Sequence, residues 1–186
     1  GGAVTEIVFA LGQGDRLVAR DTTSSFPPEV MDLPDVGYVR ALSPEGVLSV
    51  RPDLILAEEG AGPPETIAVL RDAGVPFHSI PAAQDGEAVV AKIQTVADAL
   101  GVSDAADVPL ATLRADLDRL TEATGGIEQP RRVMFILSLQ GGRVMAAGQD
   151  SGADAMLRMA GAENAVAGFT GYKPLTDEAI TEAAPE

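Results

Sequence analysis

The sequence has no cysteine and no tryptophan, and only one histidine and two tyrosines in 186 residues. Without cysteine there is no disulfide, no thiolate metal site and no thiol nucleophile. A single imidazole, His78, flanked by Phe77 and Ser79, supplies neither a multi-histidine centre nor a local carboxylate partner. It reads as a core or strand-end residue with its hydrogen bonds satisfied. Basic residues are also scarce: 13 Lys and Arg stand against 28 Asp and Glu, a formal charge of −15. So few scattered cations cannot form a phosphate track, which excludes a nucleic-acid partner, and they do not suit an anionic membrane surface. The charge serves solubility. No apolar run approaches the ~20 residues that cross a bilayer.

What is present is an apolar fraction of 46%, largely alanine, enough to core one large domain or two small lobes. Val4, Ile7, Val8 and Leu11 have helical spacing, closed by Gly12. Residues 16–20 read as a short strand, followed by a Ser/Thr/Pro loop. Ser43 is a candidate N-cap, with Pro44 at the first helical position and Glu45 in the first turn. Strand 54–57, helix 63–73 and strand 75–80 follow. This β-α-β alternation predicts a parallel sheet covered by helices.

Residues 86–100 and 107–123 read as two helices, the second with an apolar stripe of Val108, Leu110, Leu113, Leu117 and Leu120. Beyond Pro130 a second α/β unit is predicted: strand 133–137, a turn at Gly141-Gly142, strand 143–147 and helix 151–160. The expected domains are residues 1–85, a helical connector 86–126 and residues 127–186. Gly60-Ala61-Gly62-Pro63-Pro64 lacks the lysine of a nucleotide-binding loop.

One pattern occurs twice. With Glu45 aligned on Glu178, Leu42 matches Leu175, Ser43 matches Thr176 and Pro52-Asp53 matches Pro185-Glu186; with one gap, Gly37-Tyr38 matches Gly171-Tyr172. Capping chemistry alone accounts for the hydroxyl and the acid. The shared Pro-acid exit points to one α-to-β element in each lobe. From this repeat, and from the opening on Gly1-Gly2 directly before a helix, a partial chain is expected, lacking a first strand and the end of the C-terminal lobe.

The segments GYVRALS, EGAGPP, AAGQDSGADAM and GYKPL, with TEI-x-x-ALG at the start, resemble the periplasmic haem-binding proteins of bacterial haem ABC importers (HmuT/ShuT type). The wider group, the helix-linked or class III periplasmic binding proteins, also carries cobalamin and siderophores. The resemblance spans nearly the whole chain. It implies an α/β fold of two Rossmann-like lobes joined by a long helix, with haem as the transported ligand held between them. It implies that Tyr38 is the axial ligand of ferric haem, neighboured by Arg40, so that any metal is met only through haem iron. It implies that Glu45 and Glu178 dock onto the ABC permease, which works with its ATPase downstream of an outer-membrane or surface haem receptor. The implied protein is a non-enzymatic carrier, periplasmic or, in a Gram-positive cell, extracellular and lipid-anchored. Some relatives hold a second haem with a second-lobe histidine, for which this chain has no counterpart.

The chemistry agrees with the resemblance. Tyrosine is an established haem ligand. Ferric iron and a nearby guanidinium both favour the phenolate. If residues 38–40 are extended, Tyr38 and Arg40 share a face, and Arg40 reaches the phenol oxygen or a propionate. Met31, Val36, Val39, Val166 and Phe169 are candidate apolar walls, and Tyr172 with Lys173 a candidate propionate contact. Equally, Tyr172 reads as a hydrophobic staple before Thr176, and Tyr38 as a loop tyrosine bonded to a backbone carbonyl. Glu58-Glu59 reads as solvated loop or ligand-site rim. The alternatives are a carrier of cobalamin or a ferric siderophore, a tetrapyrrole metal chelatase, for which catalytic histidines are lacking, and an adhesion module.

Overall fold

A computed structural model describes residues 1–186. They divide into two compact units, Gly1–Ala82 with Val90–Thr112, and Ala83–Val89 with Leu113–Glu186.

The first unit opens with helix α1 (Gly2–Ala10), whose Val4 and Val8, with the C-capping Leu11, are buried. Gly12 then takes a φ of 69°, the left-handed exit that the sequence signals. Helix α2 (Pro44–Ser49) begins where expected: the Ser43 hydroxyl accepts from Gly46 N at 3.0 Å, and Pro44 sits where no donor is missed. Strand β1 (Ile55–Glu58), helix α3 (Pro64–Asp72) and strand β2 (Phe77–Ile80) form the β-α-β unit; β1 and β2 pair in parallel with Ile55 opposite Phe77. The core is aliphatic: Val8, Val30, Leu70, Ile80 and Val96 are 1% exposed or less.

Residues 16–20 do not form the expected strand. Gly14–Arg16 is a 3₁₀ turn, and the segment that follows makes one parallel bridge, Arg20 to Asp35. Arg20 N donates to Pro34 O and Arg20 O accepts from Val36 N, both at 2.9 Å. The next rung upstream would need an N–H from residue 34, which is proline, so the ladder stops after one pair. His78 is also not a core residue. It is exposed on β2, where Phe77 and Ile80 supply the inward contacts.

Helices α4 (Gly86–Leu100) and α5 (Asp107–Thr124) each run from one unit into the other. Of the α5 stripe only Leu110 is buried, and Val108 is 76% exposed.

The second unit contains β3 (Arg132–Val133), β4 (Ile136–Gln140), β5 (Arg143–Ala147), α6 (Gly152–Met159), β6 (Glu163–Asn164), β7 (Tyr172–Leu175) and α7 (Asp177–Ala183). The single strand expected over 133–137 is two: β3 pairs with β6 in parallel, and β4 joins an antiparallel sheet of order β4-β5-β7. Gly141 and Gly142, with φ of 56° and 77°, make the β4-β5 hairpin turn. The core is built from small residues, Ala146, Ala147, Ala153, Ala155 and Ala165. Packing this close leaves no room for a methyl at Gly148, where a Cβ would fall 2.2 Å from the Phe169 carbonyl and 2.5 Å from its ring. A buried polar set ties α6 to β6: Asp154 accepts from Asn164 Nδ2 at 3.1 Å, and Ser151 caps the helix through Asp154 N.

Candidate functional site

In the first unit, residues 38–41 form a turn, with Ala41 N donating to Tyr38 O at 2.8 Å. Val39 and Arg40 occupy its corners, so the extended geometry expected for Tyr38 and Arg40 is not what forms. The reason lies on either side of the turn. Gly37 enters with a φ of 102°, open only to glycine. Its N–H donates to Asp35 Oδ1 at 2.8 Å, and its carbonyl accepts from Thr22 N at 3.0 Å. On the far side, Gly62 N donates to Val39 O at 3.0 Å and Gly62 O accepts from Leu42 N at 2.9 Å. The EGAGPP segment is therefore a backbone clamp on the GYVRALS segment. Thr66 completes it, donating its hydroxyl to Leu42 O at 3.0 Å.

Tyr38 is 48% exposed on this fixed backbone, and its hydroxyl makes no hydrogen bond within the chain. The backbone-carbonyl partner that would mark a purely structural tyrosine is absent. Arg40 is exposed and makes no ion pair. Glu45 lies exposed in the first turn of α2, directed away from the core by the Ser43 cap. Beside this loop Arg20 pairs with Asp35, and the buried Asp21 accepts from Thr23 N at 2.9 Å, from the Thr23 hydroxyl and from Ser24 Oγ at 2.8 Å.

The expected apolar walls are placed unevenly. Val36 and Val39 line a cavity of about 540 Å³ inside the first unit, with Val4, Val8, Leu56 and Leu70; Tyr38 does not reach it. They point inward and are not available beside the phenol. Val166 is buried in the second unit. Met31 remains exposed at 52%, as does Phe26 at 61%, a residue the sequence reading did not single out. Glu58 is committed to an ion pair with the buried Lys92, and Glu59 accepts from Ala82 N at 3.2 Å, so neither is a free rim acid.

In the second unit, Tyr172 and Lys173 lie on β7, opposite Ala147 and Ala146. Tyr172 is 42% exposed. It is a strand residue and not the helix staple that the sequence allowed. The AAGQDSGADAM segment holds the entry to this strand: Gly148 N donates to Gly171 O at 2.7 Å, and Gly171 N donates to Gln149 O at 2.9 Å. The Lys173 ammonium stands 5.3 Å over the Phe169 ring, a cation-π contact that orders it. Glu178 is exposed in the first turn of α7, capped by Thr176. The backbone and Thr176 donors at this helix start lower its pKa.

Sequence reasoning found the tyrosines and missed what holds them. Asp35, Thr22, Gly62 and Gly148 act through contacts between segments far apart in the chain. The one local signal was an acid two residues before a Gly-Tyr pair, a spacing suited to a side-chain-to-backbone turn.

The chain is similar to several known proteins. The periplasmic haem-binding protein BhuT, solved with two haems, is 48% identical with a TM-score of 0.87, over 100% of this chain and 72% of its own. The periplasmic haem-binding protein RhuT from Roseiflexus sp. RS-1, in its apo form, is 37% identical with a TM-score of 0.93, over 100% and 72%. An ABC transporter substrate-binding lipoprotein of Bacillus subtilis, YvrC, is 32% identical over 98% of this chain; the chain spans 59% of that protein's length. The family model described as periplasmic binding protein matches residues 1–186, and the chain belongs to that family.

Proposed function

We propose that this chain is the substrate-binding component of an ABC importer, that its cargo is ferric haem, and that Tyr38 supplies the axial oxygen. The observation that carries the reading is an exposed phenol with no internal partner, on a backbone fixed from both sides. The likeness to two haem-binding proteins supplies the cargo class. A ferric centre binds the phenolate form, so ligation releases a proton and favours oxidised over reduced cargo. Arg40, unpaired and two residues on, offers a guanidinium to a propionate. Tyr172 and Lys173 offer a phenol and an ammonium suited to a propionate. The protein acts as a carrier and carries out no chemistry on its cargo. Its place is the periplasm, or the outer face of a membrane through a lipid anchor, after an outer-membrane or surface haem receptor.

The test is spectroscopic. Ferric haem added to the full-length protein is expected to give a high-spin tyrosinate spectrum, and Tyr38→Phe to abolish it. An unchanged spectrum in that variant would remove the ligand, and displacement of haem by cobalamin at equal concentration would remove the cargo.

The delivery partner is the permease with its ATPase. Glu45 and Glu178 each stand in the first turn of a capped helix and are free to meet a cation. Glu45→Arg and Glu178→Arg are expected to stop haem uptake in a reconstituted transporter while leaving the haem spectrum as in the wild type. Uptake at the wild-type rate in both variants would sink the docking role.

A further inference from the structure

We infer that Asp35 is the positioning residue for Tyr38, an inference that rests on the haem-carrier reading above. The main-chain groups of residues 37–39 are held by hydrogen bonds, and among their partners Asp35 is the only side chain; Thr66 acts farther on, at Leu42. Its Oδ1 accepts from Gly37 N at 2.8 Å and from the Thr22 hydroxyl at 3.2 Å; its Oδ2 pairs with Arg20 Nη1 at 3.3 Å. One carboxylate therefore joins the 20–22 segment, through Arg20 and Thr22, to the glycine that launches Tyr38.

The chemistry of the site makes this anchor matter. An exposed ligand side chain that must be ordered on binding loses affinity through the entropy of ordering it. Gly37 has the widest conformational freedom of any residue type and sits at a φ of 102°. Without an acceptor for its N–H, the residue before the phenol keeps only the bond from Thr22 N to its carbonyl. The other end needs no such side chain, because Gly62 clamps Val39 and Leu42 through main-chain bonds.

Asp35 also answers a charge. The Arg20 side chain is only 9% exposed, and its Nε is buried without a partner. Removing Asp35 alone would leave a buried guanidinium uncompensated and endanger the fold. The variants are therefore built on Arg20→Leu, which removes that charge and leaves the Gly37 anchor in place.

The experiment uses the full-length protein and ferric haem. Folding is checked by circular dichroism and thermal midpoint, affinity by titration, and ligation by the tyrosinate charge-transfer band. Arg20→Leu alone is expected to keep the band. Arg20→Leu with Asp35→Asn keeps an oxygen that accepts from Gly37 N, and is expected to keep the band within a few-fold of wild-type affinity. Arg20→Leu with Asp35→Ala is expected to lose or broaden the band and to bind about 10–100-fold more weakly, the range that outer partners of a metal ligand carry. A wild-type band and affinity in the alanine variant would overturn the inference, as would equal losses in the asparagine and alanine variants. If the wild-type protein shows no tyrosinate band, or Tyr38→Phe retains it, the carrier reading fails independently of Asp35.

Discussion

Residues 37–53 and residues 171–186 repeat one local grammar and yet support their tyrosines in different ways. Each begins on a left-handed glycine, Gly37 at 102° and Gly171 at 73°. Each reaches a hydroxyl cap that accepts from the amide three residues on, Ser43 from Gly46 N at 3.0 Å and Thr176 from Ala179 N at 3.2 Å. Each helix leaves through a left-handed non-glycine residue, Arg51 at 49° and Ala184 at 43°, just before a proline. Between glycine and cap, however, the first copy has one residue more. That residue allows the turn at 38–41, and the second copy instead runs as strand β7 against β5. Helix starts and exits follow from chemistry within a few residues, so a repeat conserves them easily. What holds a side chain ready for a ligand comes from distant segments, and here the copies part. Tyr38 stands on a loop pinned by Asp35 and Gly62; Tyr172 stands in a ladder that persists whether or not anything binds.

The largest expected effect separates these two phenols. Tyr38→Phe is expected to remove the tyrosinate band and lower haem affinity by at least roughly 100-fold, the upper end of what a ligand's outer partners carry. Tyr172→Phe keeps the ring in its strand and is expected to change affinity only a few-fold, with the band intact. Equal losses at both positions, read by the same titration, would mean that the repeat extends to ligation and that the asymmetry drawn from the fold is misplaced.

The sequence shows most of the fold because most of its signals are local. The α1 stripe, the Ser43 and Thr176 caps, the Gly12 exit and the glycine hairpin turn are each decided within one turn of chain. The β-α-β order follows from periodicity. The strand expected at 16–20 failed because its fate depends on a partner rung blocked by Pro34, which periodicity within 16–20 cannot report. The wall expected from Val36 and Val39 failed for a related reason: in a turn bounded by Gly37 and clamped by Gly62, sequence adjacency to Tyr38 does not place a side chain on the same face. The candidate ligands were legible as rare residue types in unusual company. Their supports, Asp35 and the two glycine clamps, were not, since a hydrogen bond across 13 or 23 residues leaves no spacing to read.

The smallest effect tests the part of the repeat held to be equivalent. Arg51 and Ala184 both occupy the left-handed region, which costs a side chain with a Cβ about 1–2 kcal/mol. Glycine relieves that strain but adds freedom to the unfolded chain, which gives back about 0.4–1 kcal/mol. Arg51→Gly and Ala184→Gly are therefore each expected to stabilise the protein by about 0.5 kcal/mol, a rise in thermal midpoint of about 1–2 °C for a chain of this size. The second exit has one extra restraint: Arg132 Nη2 donates to Ala183 O at 2.8 Å, and Arg132 O accepts from Glu186 N at 2.9 Å. With the exit held by that clamp, less of the added freedom is recovered in the folded state, so Ala184→Gly should gain no more than Arg51→Gly. A gain at one position and a loss at the other, by calorimetry, would break the equivalence, because the two corners would then share a dihedral angle without sharing the balance that sets it.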